Sequence, residues 1–314
     1  MISAGKLLYR VWHRPRAALR DLIREGGPVQ RRRTRQGAVA MEEAASLLTP
    51  PSAKTGSALE VHLLTGNRFW HQSAFCLISL AHTTNHTIQP TFYDDGSLQP
   101  DQAYQLQRLF PAATFISQQE TRKCLDELLP KTHYPALRER WEHYPNLRKL
   151  TDIHLGRSGW KLVIDSDLLF FRQPTVLLEW LNHPTQPLHA VDCTESYGYT
   201  RHLMESLTGS PLATRLNVGL CGLNSGDISW PQLEFWTAEL IAREKTNYFL
   251  EQALVAMMLA GKSCTILPEN DYITFPQIPE VIQCQAVVHH YVDVSKRWYF
   301  QKNWRKFSSP PTTT

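Results

Sequence analysis

The stretch Lys161-Leu162-Val163-Ile164-Asp165-Ser166-Asp167-Leu168-Leu169-Phe170-Phe171 constrains this chain more than any other. An apolar run ends in two carboxylates one residue apart, and apolar residues resume at once. A short apolar run of this kind predicts a buried strand. In open α/β sheets the ligand crevice lies outside the carboxyl ends of the strands, which is where Asp165 and Asp167 would stand. Residues i and i+2 of a strand point to the same side, so both carboxylates can approach one cation. Oxygen ligands suit Mg²⁺ or Mn²⁺, and such an ion can hold a diphosphate. The bland alternative is a strand-end turn capped by aspartates.

The rest of the chain supplies the sheet that such a strand needs. Strands are expected at 59–64, 87–93 and 113–116, with helices at 70–81 and 101–109. Residues 118–155 predict helix with breaks at Pro130 and Pro145, since proline interrupts the helical hydrogen bonds. Beyond Asp167, strands are expected at 187–192, 215–223, 263–267 and 286–290, and helices at 229–242 and 247–260. Strands alternating with helices mean an α/β fold with a mostly parallel central sheet covered on both faces. The expected division is a basic leader over 1–57, an α/β body over 58–305 and a disordered tail over 306–314.

Charge is unevenly spread. Residues 1–36 hold ten Lys/Arg against Asp21 and Glu25, a balance of +8, so a net charge of +4 leaves −4 for the remainder. The basic character belongs to the leader, and nucleic-acid binding by the body is not expected. Basic residues mixed with Leu7, Leu8, Val11, Trp12, Leu19, Leu22 and Ile23 can form short amphipathic helices that lie on an anionic membrane surface. A solvated arm, a helix packed on the body and a transit peptide are the alternatives. No apolar stretch reaches the ~18 residues of a membrane span, and no secretory signal is expected at the start. The six cysteines form no CxxC pair, which disfavours a zinc site built on close pairs. Scattered thiols suggest a reducing, cytoplasmic setting, peripheral to a membrane if the leader docks there, with the cysteines mostly buried as small hydrophobes.

Further segments carry possible chemistry. In Val287-Val288-His289-His290-Tyr291-Val292-Asp293-Val294-Ser295-Lys296-Arg297-Trp298, a strand-end histidine can complete a metal shell, and a lysine six residues on can reach a phosphate. In Leu216-Asn217-Val218-Gly219-Leu220-Cys221-Gly222-Leu223-Asn224, glycines within a strand mark close approach by a ligand or another backbone. Glu251 and Gln252 stand near a helix start. Each segment alone has an ordinary structural reading: a core histidine, a surface lysine, a packed helical face.

Taken together and in this order, these segments resemble glycosyltransferase family 8 and its GT-A relatives over roughly residues 59–305. That family shows a DxD after a hydrophobic strand, then an asparagine–glycine motif, a DQ-containing helix, and a His-aromatic motif followed by Lys and Trp. The counterparts are Asp165-Ser166-Asp167, Asn217 and Gly219 with Asn224, Glu251-Gln252, and His290-Tyr291 with Lys296 and Trp298. The resemblance implies a GT-A, Rossmann-like nucleotide-diphospho-sugar transferase fold. The implied reaction is metal-dependent transfer of a sugar from a nucleotide-diphosphate donor, a UDP-sugar, to a hydroxyl of a glycan or lipid-linked saccharide, with retention. It assigns Asp165, Asp167 and His290 to Mn²⁺ or Mg²⁺. Thr65, Asn67, Arg68, Asp95, Lys149, Asp165, Ser166, Gly219 and Lys296 would bind the donor, with the turn around Asn67 on the nucleobase. Asn217, Glu251 and Gln252 would line the sugar and acceptor side. The chain departs from the pattern where Asp293 replaces glycine, Arg297 replaces proline and Glu251 replaces aspartate. Asp293 adds negative charge near the phosphates unless it is turned away or paired.

Two rivals come from other classes. A haloacid-dehalogenase-type phosphatase also carries Asp-x-Asp after a strand, but its signature continues with Thr or Val where this chain has Leu169, and it lies near the domain start. A non-catalytic nucleotide-sugar or glycan-binding protein on the same fold would bind a donor without turning it over.

Overall fold

The computed structural model describes residues 22–52 and 54–308. Most of the expected leader, and the end of the expected tail, lie outside these residues. The strands are β1 (Gly56–Thr65), β2 (His86–Asp94), β3 (Thr114–Ile116), β4 (Trp160–Ile164), β5 (Leu168–Phe170), β6 (Leu188–Val191), β7 (Leu216–Asn224), β8 (Thr265–Ile266), β9 (Tyr272–Thr274) and β10 (Val288–His290).

Seven strands form one sheet in the order β3-β2-β1-β4-β7-β6-β8. Only β7 runs against its neighbours β4 and β6; the other pairs are parallel. The chain moves outward from β1 to β3, then returns to place β4 on the other side of β1. That reversal opens a crevice at the carboxyl ends of β1 and β4, the position where open α/β sheets bind ligands.

Alternation along the strands explains why both faces are covered. Leu162 and Ile164 of β4 share a core with Leu59, Val61 and Leu63 of β1 and with the helix Trp70–Thr83. Val163, between them, turns the other way and packs with Tyr93 and Ile153 of the helix Leu147–His154. The helix Trp70–Thr83 is buried from Trp70 through Ala81, polar His71, Gln72, Ser73 and Ser79 included. Each fully buried aliphatic side chain contributes about 1.5–3 kcal/mol relative to exposure. The helical stretch after Gln118 divides into Gln118–Leu128, Pro135–His143 and Leu147–His154, with breaks at the expected prolines.

A second, three-stranded sheet has the order β5-β10-β9. β5 is antiparallel to β10, and β9 is parallel to it. The apolar run after Asp167 therefore leaves the central sheet and starts another. β9 and the helices Thr175–Asn182, Arg201–Thr208 and Ile278–Gln283 are further elements that the sequence pattern did not predict.

Within the stretch read as a leader, the helix Pro28–Ala45 packs on the helix Lys296–Gln301. Met41 and Ala45 are fully buried, Gln301 Nε2 donates to Thr34 Oγ1 at 2.8 Å, and Trp70 Nε1 donates to Glu42 at 3.1 Å. Gly37 permits the contact, because a Cβ there would lie 2.2 Å from the Phe300 carbonyl oxygen. At the other end Phe307 packs against Phe171, so the packed chain runs past residue 305. All six cysteines are free, but only Cys76 and Cys221 are buried and Cys193 is exposed. The expectation that most are core residues therefore fails: Cys193, Cys264 and Cys284 sit in loops or at an element end, and Cys124 is only half-buried within the helix Gln118–Leu128. No described helix is long and apolar enough to cross a membrane.

Candidate active site

The two sheets meet at the paired aspartates. β4 ends at Ile164, and the Asp165 amide then donates to the Gly219 carbonyl of β7 at 2.8 Å. The chain turns, and Leu168 pairs with His290 across β5 and β10. The Tyr291 amide closes the turn by donating to the Asp167 carbonyl at 3.0 Å. One ligand atom from each of Asp165, Asp167 and His290 lies within 4.8 Å of the others. His290 Nε2 is 3.2 Å from Asp167 Oδ1 and 3.7 Å from Asp165 Oδ2. Gly219 makes room for this arrangement: a Cβ there would sit 2.3 Å from His290 Cε1. Two carboxylate oxygens and one imidazole nitrogen fit a divalent cation of the Mn²⁺ or Mg²⁺ kind.

Two lysines flank the triad. Lys149 Nζ lies 2.8 Å from Asp165 Oδ1 and 3.2 Å from Glu251 Oε2, while Lys296 Nζ lies 2.9 Å from Asp167 Oδ2. Burial opposes the charge on Asp167, but Lys296 and His290 outweigh it and hold the carboxyl below the ordinary carboxylate range. Burial likewise opposes charge on Lys149, yet Asp165 and Glu251 push its pKa above the usual lysine value. Asp167 raises Lys296 as well. Glu251 goes the other way: burial lifts it to about 7 although Lys149 pulls it down. Both lysines thus stay charged, while burial leaves Glu251 easier to protonate than an exposed glutamate.

These groups wall one cleft of about 890 Å³, which also takes in Tyr144, Asp192, Asn217, Gly219, Tyr248 and Gln252. That size suits a small-molecule ligand. Asp192 orients two neighbours, since Asn217 Nδ2 and Gln252 Nε2 each donate to its Oδ2 at 3.2 Å. Sequence reasoning missed Asp192. The signal was present, a carboxylate at the carboxyl end of an expected strand, as at Asp165. Tyr248, 68% exposed, and Phe249 stand at the cleft with their rings edge to face. A second cavity of about 520 Å³ adjoins at Asp192 and Cys193 and contains none of the triad.

The expected residues divide into two groups. Lys149, Asp165, Asp167, Asn217, Gly219, Glu251, Gln252, His290 and Lys296 converge on the cleft. Thr65, Asn67, Arg68 and Asp95 gather instead at the ends of β1 and β2, outside its wall. There the Asp95 amide donates to the Thr65 carbonyl at 2.8 Å, and the fully buried Thr65 hydroxyl pairs with Ser73. Ser166 is also outside the wall, its carbonyl accepting from Tyr299 at 3.3 Å. Asp293 takes a left-handed backbone with φ of 50°, and its carboxylate pairs with Arg24.

Neither a protein-family model nor a curated protein sequence matches the chain. Solved structures share its architecture. The galactosyltransferase LgtC, solved with donor and acceptor sugar analogues, aligns at a TM-score of 0.52 and 11% identity over 82% of this chain and 97% of its own. Mouse xyloside xylosyltransferase 1 aligns at 0.51 and 12% identity over 74% of this chain and 97% of its own. The bifunctional glycosyltransferase WbbM aligns at 0.50 and 11% identity, over 82% of this chain and 53% of its own. The fold is that of the GT-A glycosyltransferases. In this GT-A fold the metal-ligand candidates stand where β4 leaves the central sheet and the small sheet brings in His290.

Proposed function

We propose that this chain is a metal-dependent glycosyltransferase. It moves a sugar, in our reading a hexose, from a UDP-sugar to a hydroxyl of a glycan or lipid-linked saccharide. The observation that carries this reading is the convergence of Asp165, Asp167 and His290 within 4.8 Å, flanked by two lysines, in a cleft large enough for a nucleotide sugar. Asp165, Asp167 and His290 would hold Mn²⁺ or Mg²⁺, which when bound neutralises charge on the departing diphosphate. Lys296 would meet the diphosphate as a point charge. Asn217 and Gln252, both oriented by Asp192, would face the transferred sugar. Glu251 would position the acceptor hydroxyl, and the aromatic rings of Tyr248 and Phe249 offer the acceptor an apolar edge. The strand-end group Thr65, Asn67, Arg68 and Asp95 would approach the nucleobase, and Ser166 the donor. The family resemblance favours retention by attack on the same face as departure. A peripheral membrane role would rest on the basic residues of 1–36, of which Arg32, Arg33 and Arg35 are exposed on the helix Pro28–Ala45. Reversing these three to glutamate should then weaken binding to anionic vesicles.

Thermal stability with UDP, with and without Mn²⁺, tests the reading. A ligand that binds only the folded state stabilises it by about 2.7 kcal/mol at 100 times its dissociation constant. The expected result is a Mn²⁺-dependent rise in wild type that is lost in Asp167→Ala. No response to UDP, GDP or CMP would overturn the nucleotide site. Binding without turnover of any sugar donor would favour the non-catalytic binding protein.

A further inference from the structure

Arg24 stands apart from the other cations of the cleft. It precedes the helix Pro28–Ala45, outside the span of the resemblance, and no motif includes it. Even so, it lines the same wall as Asp167, His290 and Lys296. Its guanidinium pairs with Asp293, 269 residues away in sequence. Asp293 lies in the turn between His290 and Lys296, at the position where the resembled motif has glycine. The chain therefore carries two linked departures: an acid beside the lysine proposed for the diphosphate, and an arginine brought in to pair with it.

The pair is open to solvent, with Arg24 61% and Asp293 44% exposed. Exposed ion pairs of this kind are weak. The two lysines of the wall are differently placed: Lys149 is held by Asp165 and Glu251, and Lys296 by Asp167, all partly or wholly buried. A diphosphate carries more charge than one carboxylate, and the planar guanidinium fork matches phosphate oxygens in pairs. Arg24 is also well supported. Arg31 pairs with Glu25 at 2.8 Å, and the helix that follows packs on the helix that begins at Lys296. Gly26 and Gly27, both with φ of 90°, join Arg24 to that helix in a backbone other residues rarely adopt.

The geometry points to Arg24 as a diphosphate ligand, held over the cleft by Asp293, which it exchanges for the phosphates of the donor. Asp293 acts as a competing anion, so a diphosphate displaces it more readily than a monophosphate does. This inference rests on the nucleotide-diphosphate reading above.

Calorimetric titration of the full chain with UDP and with UMP, in Mn²⁺, separates the possibilities. Arg24→Ala should weaken UDP by about tenfold and UMP by about threefold or less, with Arg24→Lys in between. Asp293→Asn, which keeps a residue tolerant of the left-handed backbone, should tighten UDP by about threefold. A structural latch would move both variants in the same direction, or neither, and would overturn the inference. If wild type binds UDP and Arg24→Ala binds it equally well, the inference alone fails. If wild type binds no nucleoside diphosphate, the functional reading fails and takes this inference with it.

Discussion

The central and small sheets differ in how they are held. β1 has ten residues and pairs with β2 along nearly its whole length. β5, β9 and β10 have three residues each, too few to be stable by ladder hydrogen bonds alone. Their support comes from the side. The Phe170 amide donates to Ser79 Oγ at 2.9 Å, Phe171 packs on His289 at 4.8 Å, and Tyr291 on Tyr299 at 5.1 Å between ring centroids. Yet this weaker sheet delivers His290. The difference teaches that the large sheet sets where the crevice is, while the packing around the small one sets how accurately the triad is formed.

The largest expected effect tests that division directly. Leu63 in β1 and Leu169 in β5 are both fully buried, so replacing either with alanine should cost about 2–5 kcal/mol in denaturant unfolding. Only Leu169→Ala should also weaken Mn²⁺ binding, because Leu169 pairs with His289, the neighbour of His290. Equal metal affinity in the two variants would break the comparison.

A narrower probe uses two glycines of β7. A Cβ at Gly219 would strike His290, whereas one at Gly222 would lie 2.4 Å from the Trp180 ring. Both alanine variants should lose about 1–3 kcal/mol of stability through overpacking. Gly219→Ala alone should reduce Mn²⁺ affinity, by about 10- to 100-fold, as read by calorimetry. A matching loss in Gly222→Ala would show that general strain, not the room left for His290, governs the site.

The remaining test concerns pH and the region around β1. Burial lowers His62 of β1 to about 3, helped by Lys161, and lowers His71 to about 4. A histidine whose folded pKa lies below its unfolded value of about 6.5 must stay neutral to remain folded. Its contribution is complete above that pH and is lost as pH falls from about 6.5 toward 4, at about 1.4 kcal/mol per unit for each histidine. Urea unfolding at pH 7, 6 and 5 should show this slope, and His62→Gln should flatten it by one histidine's share. An unchanged slope would place the acid sensitivity elsewhere.

Much of this was legible in the residues. The apolar runs of β1, β2 and β4, the two prolines that divide the helical stretch, and the strand-end position of Asp165 and Asp167 all follow from local periodicity, which is a property of a few consecutive side chains. The strand-end position of His290 and the spacing to Lys296 allowed a metal and a phosphate role, but a core histidine and a surface lysine fit the same residues, and it was the motif resemblance that chose between the two readings. Of the small sheet only β10 was legible, inside the strand expected at 286–290; β5 and β9 were not, because strands of three residues are too short to show a period and exist only through partners far along the chain. The same holds for the docking of Pro28–Ala45, which depends on Gly37 meeting the Phe300 backbone, and for the pairing of Arg24 with Asp293. The sequence by itself determined a mostly parallel α/β sheet with two carboxylates at its crevice. Only the tertiary structure decided which distant groups complete that crevice, because charge pairing and steric room depend on distances that chain order does not contain.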